Sequence, residues 1–327
     1  MELIKKLTSA FGPSGSEEDV ANIIIEEIKD YADDIKRDNL GNVIAVKKGN
    51  GKGKIMYASH MDQIGILLLE IEKNGLLRFA TVGVVNPLSL LNQVVIFRNG
   101  VCGRIMVENM SENKNVKIKD MFIDIGESDY EKASQKVSIG SFGVIKSDFI
   151  VNENRIITGA LDNRIGCFAL IESLKRLKGN ECDAYFVFTV HEETYLSGAA
   201  VSAYAVEPDM AVAVDVTFSG DSLEGIRTVV KLGEGTCITI MDDGLISHPD
   251  VKNYLIDTAK KYGIKYQFDI AKGATDGSVI HTTRAGIKTA AVSIPLRYMH
   301  TSYEIVDMKD VENTIELLLK AAIDYKK

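Results

Sequence analysis

Five short segments carry histidine and carboxylate side chains at the ends of predicted strands or in loops. They are His60-Met61-Asp62, Leu161-Asp162-Asn163-Arg164, His191-Glu192-Glu193, Val214-Asp215-Val216 and Met299-His300-Thr301. Imidazole and carboxylate are ligands that zinc, cobalt and manganese accept, and ligand sites in open α/β sheets gather at strand ends. Each segment alone is ambiguous, because an aspartate after a strand often caps a helix and a Glu-Glu pair often faces solvent. Together the five segments predict a metal centre.

The adjacent pair Glu192 and Glu193 sets a local requirement on the backbone. A regular strand would direct neighbouring side chains to opposite faces, so both reach one site only if the strand ends and the chain bends there. The sequence Thr-Tyr-Leu-Ser-Gly that follows allows such a bend. Asp62 lies two residues after His60, where its side chain can orient the imidazole from outside the metal's ligand shell.

The negative charge of the predicted centre favours two cations over one. Asp162, Glu192, Glu193 and Asp215 would bring four negative charges into one cleft, and carboxylates so crowded repel one another and take up protons. Two divalent cations offset that charge. They also lower the pKa of water from about 15.7 toward ~7, which supplies a nucleophile for hydrolysis.

Outside one central region, predicted strands alternate with predicted helices. The strands cover 54–59, 183–190, 210–216, 236–241 and 288–294, and the helices cover 164–178, 197–205, 250–263, 276–284 and 311–327. Ser16 is predicted to be the N-cap of a further helix, which its acidic neighbours Glu17 to Asp19 would favour. This alternation predicts an α/β fold with a layered sheet and helices packed on it.

Residues 65 to 155 have a different character. Strand-like runs such as ILLLEIE, QVVIFRN and VCGRIMV follow one another, turn residues separate them, and helical periodicity is nearly absent. The pattern predicts a small all-β barrel or sandwich inserted into the chain.

Composition excludes several classes of partner. The 327 residues carry a net charge of −8, which disfavours binding to nucleic acid or to an anionic membrane. The four cysteines form no CxxC pair and are too sparse for a disulfide scaffold, and the start resembles no signal peptide. No segment reaches the ~20 apolar residues of a membrane span, so we expect a protein of the reducing cytoplasm.

Several blocks of the sequence resemble the signature segments of one peptidase family. They are SHMDQIGILL, TGALDNRIG, VHEETYLSGA, AVDVT, GATDGSVIH and IPLRYMHTSYEIV, and they extend in order over nearly the whole chain. The family is the tetrahedral, glutamyl-aminopeptidase-like group of dinuclear metallo-aminopeptidases, some of which carry an older name as cellulases or endoglucanases.

The resemblance implies a role for each member of the predicted centre. One metal ion would be held by His60 and Asp215, the other by Glu193 and His300, and Asp162 would bridge both. Glu192 would be the general base and then the general acid, Asp62 would orient His60, and a cis peptide bond would follow Asp162. The cofactors would be two divalent ions, zinc first, with cobalt or manganese also accepted.

The resemblance also implies an architecture. The catalytic domain would be a three-layer, zinc-peptidase-like sheet sandwiched by helices, formed by residues 1–66 and 156–327. Residues 67–155 would be an inserted barrel that mediates dimerisation. Family members often build hollow tetrahedral dodecamers, which restrict substrates to unfolded peptides, so we expect short peptides as substrates and a dimer or dodecamer.

Other polar residues have less distinctive settings. Thr275 and Asp276 are candidates to line the substrate pocket, although a helix cap explains them equally well. We expect a packing role for His191, a turn for His248, and a structural role in a helix for His281.

Rival functions share part of this chemistry. A metal-dependent amidohydrolase or deacylase, or a carboxypeptidase, could use a similar dinuclear centre. A glycoside hydrolase would need two carboxylates without histidine ligands, and a non-catalytic scaffold would not need all of the proposed ligands and the base. No GxSxG or GxxxxGK[ST] motif occurs, which disfavours a serine hydrolase of that type and a phosphate loop. The predicted function is therefore an aminopeptidase.

Overall fold

A mixed β-sheet is the central layer of the larger part of the protein. The structure, a computed structural model, describes residues 1–51, 53–108, 115–223 and 227–327. Within these residues the sheet has eight strands: β1 (Asp34–Arg37), β2 (Val43–Lys47), β3 (Lys54–His60), β12 (Asp183–Thr189), β13 (Met210–Phe218), β14 (Thr236–Met241), β15 (Tyr266–Ile270) and β16 (Lys288–Leu296). Their spatial order is β1-β2-β12-β3-β13-β16-β14-β15. The neighbouring strands β12, β3, β13 and β16 run parallel, so their carboxyl ends lie at one edge.

Helices cover both faces of this sheet. They are α1 (Glu2–Ser9), α2 (Glu18–Ile28), α5 (Leu161–Arg176), α6 (Glu192–Tyr195), α7 (Ser197–Val206), α8 (Pro249–Tyr262), α9 (Gly277–Ile280) and α10 (Met308–Asp324). One face packs α1, α2, α5, α8 and α10 in a large apolar core, and the other packs α7 and α9 in a smaller one. Because both faces are covered, central strands such as β13 are almost continuously apolar. The predicted three-layer α/β fold is confirmed.

The region that follows β3 forms a closed barrel with its own core. Its strands are β4 (Gly65–Ile71), β5 (Leu77–Val82), β6 (Val94–Phe97), β7 (Cys102–Val107), β8 (Met121–Asp124) and β9 (Phe142–Ile145), in the order β4-β5-β8-β7-β6-β9. Alternate apolar residues such as Ile66, Leu68 and Ile123 fill its interior. Because these strands close on themselves, the region is a barrel and not a sandwich, the two forms that the sequence analysis left open. Two short helices that the sequence analysis did not assign, α3 (Pro87–Leu90) and α4 (Tyr130–Lys136), accompany these strands.

A small antiparallel sheet connects the segments on either side of the predicted centre. It consists of β10 (Ile150–Asn152), β11 (Arg155–Thr158) and β17 (Glu304–Asp307). Its register pairs Thr158 with Glu304. The chain just after β11 therefore lies beside the chain just before β17, which brings the Asp162 and His300 segments together.

Two local predictions were wrong. Helix α2 begins at Glu18 after Glu17, and the hydroxyl of Ser16 accepts a hydrogen bond from Arg98 instead of capping the helix. The helix predicted over 276–284 spans only Gly277–Ile280, and Arg284, at the end of the predicted range, has a left-handed backbone with φ 57°. Helix α1, at the start of the chain, had no counterpart in the prediction.

In the described part of the chain, the helices are too short or too polar to traverse a bilayer.

Candidate metal centre

His60 lies at the carboxyl edge of the sheet, where three carboxylates surround its ring. It is the last residue of β3, pairs in register with Thr189 at the end of β12, and is 1% exposed. Its Nε2 atom lies 3.1 Å from Asp162 Oδ1, 3.6 Å from Asp215 Oδ1 and 3.7 Å from Glu192 Oε2. Its Nδ1 atom lies 3.1 Å from the backbone oxygen of Asp62. Since a carbonyl oxygen only accepts, Nδ1 is the donor, and Nε2 faces the carboxylates.

The chain bends at the Glu192–Glu193 pair, as the prediction required. Strand β12 ends at Thr189, and His191 has a left-handed backbone with φ 61°. The two glutamates then begin the short helix α6. Asp62 holds this bend, because its carboxylate accepts hydrogen bonds from the backbone N–H groups of Glu192 at 3.0 Å and Glu193 at 3.1 Å.

Asp162 lies between two histidines. One carboxylate oxygen, Oδ1, is 3.1 Å from His60 Nε2, and the other, Oδ2, is 3.3 Å from His300 Nε2. The peptide bond between Asp162 and Asn163 is cis, as the resemblance implied. Asn163 donates a 2.8 Å hydrogen bond to the backbone oxygen of Val214, which links this segment to β13.

His300 completes a second cluster. Its Nε2 atom is 3.3 Å from both Asp162 Oδ2 and Glu193 Oε2, and its Nδ1 donates to the backbone oxygen of Val84 at 2.7 Å. The Val84 contact comes from the segment between the barrel strand β5 and helix α3. The Nδ1 side of the ring is therefore held by the segment between β5 and α3.

The ligand-type atoms fall into two groups. His60, Glu192 and Asp215 form one, called the His60 group here, and Asp162, Glu193 and His300 form the other, called the His300 group. Within each group these atoms lie within 4.8 Å of one another. All five residues predicted as metal ligands and the predicted base thus occupy one locus, although 240 positions separate His60 from His300 in the sequence.

Burial and like charge disfavour the ionised form of three carboxylates here, whereas His300 and His60 lower the pKa of Asp162 despite its burial. Burial raises the pKa of Glu192 well above its ordinary value, and burial likewise raises the pKa values of Glu193 and Asp215. For His300 burial acts in the opposite direction, but Glu193 and Asp162 outweigh it and raise its pKa to about 12. Protons and cations compete for the same lone pairs in such a cluster.

The donor atoms fit divalent cations. The clusters offer imidazole nitrogen and carboxylate oxygen, the donors that zinc prefers along with cobalt and manganese. Glu193 Oε1 is also buried without a hydrogen-bond partner among the described residues. An unpartnered buried oxygen costs free energy. A cation at this position would give Glu193 Oε1 a partner and remove that cost.

Two polar residues that sequence reasoning missed hold this centre. Glu304, 2% exposed, accepts hydrogen bonds from the backbone N–H groups of Asp162 at 3.1 Å and His300 at 2.9 Å. Burial and the charge of Asp162 raise its pKa to about 8. Ser14 donates a 2.6 Å hydrogen bond to Asp62 Oδ2. The sequence signal for Glu304 is its place four residues after His300, within the block IPLRYMHTSYEIV.

Asp62 acts through more partners than the prediction gave it. Its Oδ1 atom is 3.5 Å from His60 Nδ1, so the carboxylate adjoins the ring, but its own backbone oxygen is closer. The carboxylate mainly receives N–H and O–H donors, and despite complete burial these donors and His60 lower its pKa.

Thr275 and Asp276 lie in different surroundings. Thr275 is in the wall of the cleft beside the two groups, where its hydroxyl donates to Asp242. Asp276 precedes α9, but its side chain does not cap that helix. It accepts a 2.5 Å hydrogen bond from Thr189, and burial raises its pKa to about 7.

The remaining histidines lie outside both groups. His191 is half-buried and hydrogen-bonds to Ser197. His248 precedes α8 and accepts a hydrogen bond from the N–H of Asp250, so it caps a helix where a turn was predicted. His281 follows directly after α9.

Two cavities meet at the His300 group. The first, of about 440 Å³, also reaches His60, Glu192 and Asp215, and its walls include Val216, Phe218 and Met299. The second, of about 230 Å³, lies between the catalytic part and the barrel. Asp162, Glu193 and His300 line both cavities, so a bound peptide that extends from one cavity into the other passes the His300 group.

The sequence from residue 41 to 317 matches the model of the M42 glutamyl aminopeptidase family. This chain belongs to that family. The match confirms the predicted family and enzyme class, an aminopeptidase that hydrolyses peptide bonds.

Individual relatives of this M42 family member match over nearly their whole length. The chain is 44% identical to a protein of Acetivibrio thermocellus, over 98% of this chain and 97% of that one. It is 36% identical to the lysyl aminopeptidase of Pyrococcus furiosus, over 97% and 94%. The solved structure of the Pyrococcus horikoshii TET1 peptidase, which can assemble into a tetrahedron or a large octahedral shell, superposes with a TM-score of 0.90 at 34% identity, covering 99% of each chain.

Proposed function

We propose that this M42 family member is a dinuclear-metal aminopeptidase that removes N-terminal residues from short peptides. The observation that carries the proposal is the position of Asp162. Its two oxygens face His60 and His300, and each histidine belongs to its own group of ligand-type atoms. A carboxylate with a histidine at each oxygen is the donor arrangement expected of a bridging ligand between two cations.

Each predicted ligand has a part in this proposal. His60 and Asp215 would hold one cation, Glu193 and His300 would hold the other, and Asp162 would contribute to both. The donors suit zinc, and cobalt or manganese accept the same donors. When bound, such cations polarise a peptide carbonyl and lower the pKa of water toward ~7.

Glu192 acts as the general base. It takes a proton from the attacking water as the new C–O bond forms. It then gives that proton to the leaving amine as the scissile C–N bond breaks. Its position next to His60, 3.7 Å from Nε2, and its raised pKa suit a group that must hold a proton between the two steps. Asp62 supports this role, because it fixes the backbone of the Glu192–Glu193 bend.

The two cavities at the His300 group suit a peptide with its scissile bond at the cluster. The larger cavity takes the N-terminal residue, with Thr275 in its wall and Asp276 buried behind it. The smaller cavity takes the residue that follows the scissile bond. The free α-amino group binds at the cluster, which distinguishes an aminopeptidase from a deacylase or a carboxypeptidase.

Self-association through the barrel of residues 67–155 is part of the proposal, as a dimer or as a dodecamer in the cytoplasm. The similarity to the Pyrococcus horikoshii peptidase supports it, since that protein can assemble into a tetrahedron or a large octahedral shell. Exposed apolar side chains on the barrel, such as Leu69 and Ile139, support it as well.

A substrate panel tests the reaction class. Protein freed of metal with a chelator and reloaded with zinc, cobalt or manganese is assayed on aminoacyl chromogenic substrates with free and with acetylated N-termini. We expect hydrolysis only of the free N-termini and only after reloading. Hydrolysis of acetylated substrates or of C-terminal residues would favour a deacylase or a carboxypeptidase, and chelator-insensitive hydrolysis of cellulose would favour a glycoside hydrolase.

A further inference from the structure

Glu304 is a buried carboxylate beside His300, a predicted metal ligand. It begins strand β17, is 2% exposed, and accepts two backbone N–H groups. An ionised carboxylate in such a place costs free energy unless donors surround it. Its surroundings therefore point to a role that an apolar residue would not fill.

The two oxygens of Glu304 bind two different segments of the site. Oε2 accepts the backbone N–H of Asp162 at 3.1 Å, and Oε1 accepts the backbone N–H of His300 at 2.9 Å. Both donors belong to the His300 group, in which they are two of the three members. One side chain thus sets the spacing between two backbones that are 138 positions apart in the sequence.

The backbone of His300 needs such support. Its φ of 61° lies in the left-handed region, as does that of Tyr298 two residues earlier. A non-glycine residue there costs on the order of 1 kcal/mol, and the conformation persists only where surrounding contacts hold it. The hydrogen bond to Glu304 is such a contact.

We propose that Glu304 is a positioning residue for the cation at the His300 group. By holding the main chains of Asp162 and His300, it keeps their side chains at the separation that one cation requires. The proposal rests on the proposed function, since it presumes that the site binds two cations. The His60 group depends on Glu304 less, because only Asp162 connects it to this carboxylate.

Asp310 provides a matched control. It is also buried, and its carboxylate also accepts two backbone N–H groups, from Gly233 at 2.6 Å and Gly235 at 2.7 Å. It lies in α10 and belongs to neither ligand group. Loss of one acceptor oxygen at Asp310 therefore measures how much stability is lost when a buried carboxylate gives up one of two such hydrogen bonds.

The experiment measures cation binding directly. Wild-type protein, Glu304→Gln and Asp310→Asn are stripped of metal and titrated with zinc against a chelating dye, and the visible absorption of the cobalt-loaded forms is recorded. In each variant the amide that replaces the carboxylate keeps one acceptor oxygen and puts an NH₂ donor in place of the other. One of the two backbone N–H groups then loses its acceptor.

We expect Glu304→Gln to bind one of its two zinc ions about 10–100-fold more weakly than wild type, as is typical when an outer partner of a ligand is lost. The other zinc ion should bind within a few-fold of wild type, and the cobalt spectrum should lose the contribution of one site. Asp310→Asn should bind both ions as wild type does, even where its melting temperature falls.

Three results would contradict either the positioning role of Glu304 or the dinuclear function. If Glu304→Gln binds both ions with wild-type affinity and loses only thermal stability, as Asp310→Asn does, Glu304 has no positioning role. If Glu304→Gln does not fold, Glu304→Asp is titrated instead, and unchanged affinity for both ions in that variant refutes the role. If wild-type protein binds no second cation, the proposed dinuclear function itself fails.

Discussion

Ser14 donates a 2.6 Å hydrogen bond to the carboxylate of Asp62, although 48 positions separate the two residues. Both side chains are buried, and the acceptor carboxylate also holds the backbone of Glu192 and Glu193. The segment that precedes helix α2 is thereby connected to the predicted base and to a predicted metal ligand. A residue far from the cluster in sequence thus helps to fix its geometry.

The Ser14→Ala variant tests this connection. It removes one of three donors from a buried carboxylate, so we expect a loss of about 1.5–3 kcal/mol in the free energy of unfolding. We also expect kcat to fall by up to about tenfold, because the Glu192 backbone is held less firmly. Urea unfolding and steady-state kinetics measure the two effects.

Ser202→Ala is the control for Ser14→Ala. Ser202 is also buried, but its hydroxyl donates only to the backbone oxygen of Ala199 in helix α7. That variant should keep the wild-type kcat. Equal losses of kcat in the two variants would show that Ser14 affects activity through stability alone.

Glu192→Gln separates proton transfer from metal binding. The amide keeps the size of the side chain but cannot take a proton, so we expect kcat to fall by about 10²–10⁴-fold. Both cations should remain bound, because the proposed ligands are unchanged. Metal content by atomic emission and turnover of an aminoacyl substrate are measured on the same sample.

The exposed residue Glu207 supplies a control for this substitution, and Glu207→Gln should keep full activity. A Glu192→Gln protein that loses one cation would show that Glu192 is a metal ligand. A variant that keeps wild-type turnover would exclude the residue as the base.

The Asp221–Arg297 pair predicts an acid-dependent loss of stability. Arg297 contacts both oxygens of Asp221, at 3.0 and 2.7 Å. Although partial burial opposes ionisation, Arg297 and Ser219 lower the pKa of Asp221 to about 2. A depressed pKa means that the folded state favours the ionised form, so this stabilisation is complete above about pH 4 and is lost as the pH falls toward 2.

Comparison with Asp221→Asn isolates that contribution. The difference in unfolding free energy between wild type and variant should be constant above about pH 4 and should narrow between pH 4 and 2. Denaturant unfolding at several pH values measures it. The difference in unfolding free energy between wild type and Arg297→Gln should narrow over the same pH range. A difference that stays constant down to pH 2 would contradict the assignment.

The barrel surface predicts the oligomeric state. Leu69 and Ile139 are 51% and 65% exposed, and their neighbours Leu68 and Gly140 are joined by a hydrogen bond from the N–H of Gly140 to the backbone oxygen of Leu68. Replacing both with lysine places charge on this patch, so we expect self-association to weaken by at least tenfold in dissociation constant. Light scattering after size exclusion measures the mass.

Ile246→Lys is the matched change outside the barrel, at a residue that is 76% exposed. The Ile246→Lys protein should still form at least a dimer. If the Leu69→Lys, Ile139→Lys protein keeps the wild-type mass, association does not depend on this part of the barrel.

The types of residue at the centre were predictable from the sequence alone. His60 and Asp215 lie in strands β3 and β13, and Asp162 and His300 lie in segments next to strands. Imidazole and carboxylate restrict the ligand to a small set of cations. The Glu192–Glu193 pair predicted the bend that the structure has, since a continued strand would have separated the two side chains. The change from alternating helices and strands to consecutive strands located the barrel region.

The residues that hold the centre were decided by tertiary structure. Ser14, Glu304 and the three-donor role of Asp62 have no signature in sequence, because a lone serine or glutamate has many ordinary settings. Glu304 reaches Asp162 only because β17 pairs with β11 in a register that places it opposite Thr158. Spacing along a chain predicts which side chains share a strand or a helix face, but strand order and register decide which distant backbones a buried carboxylate can join.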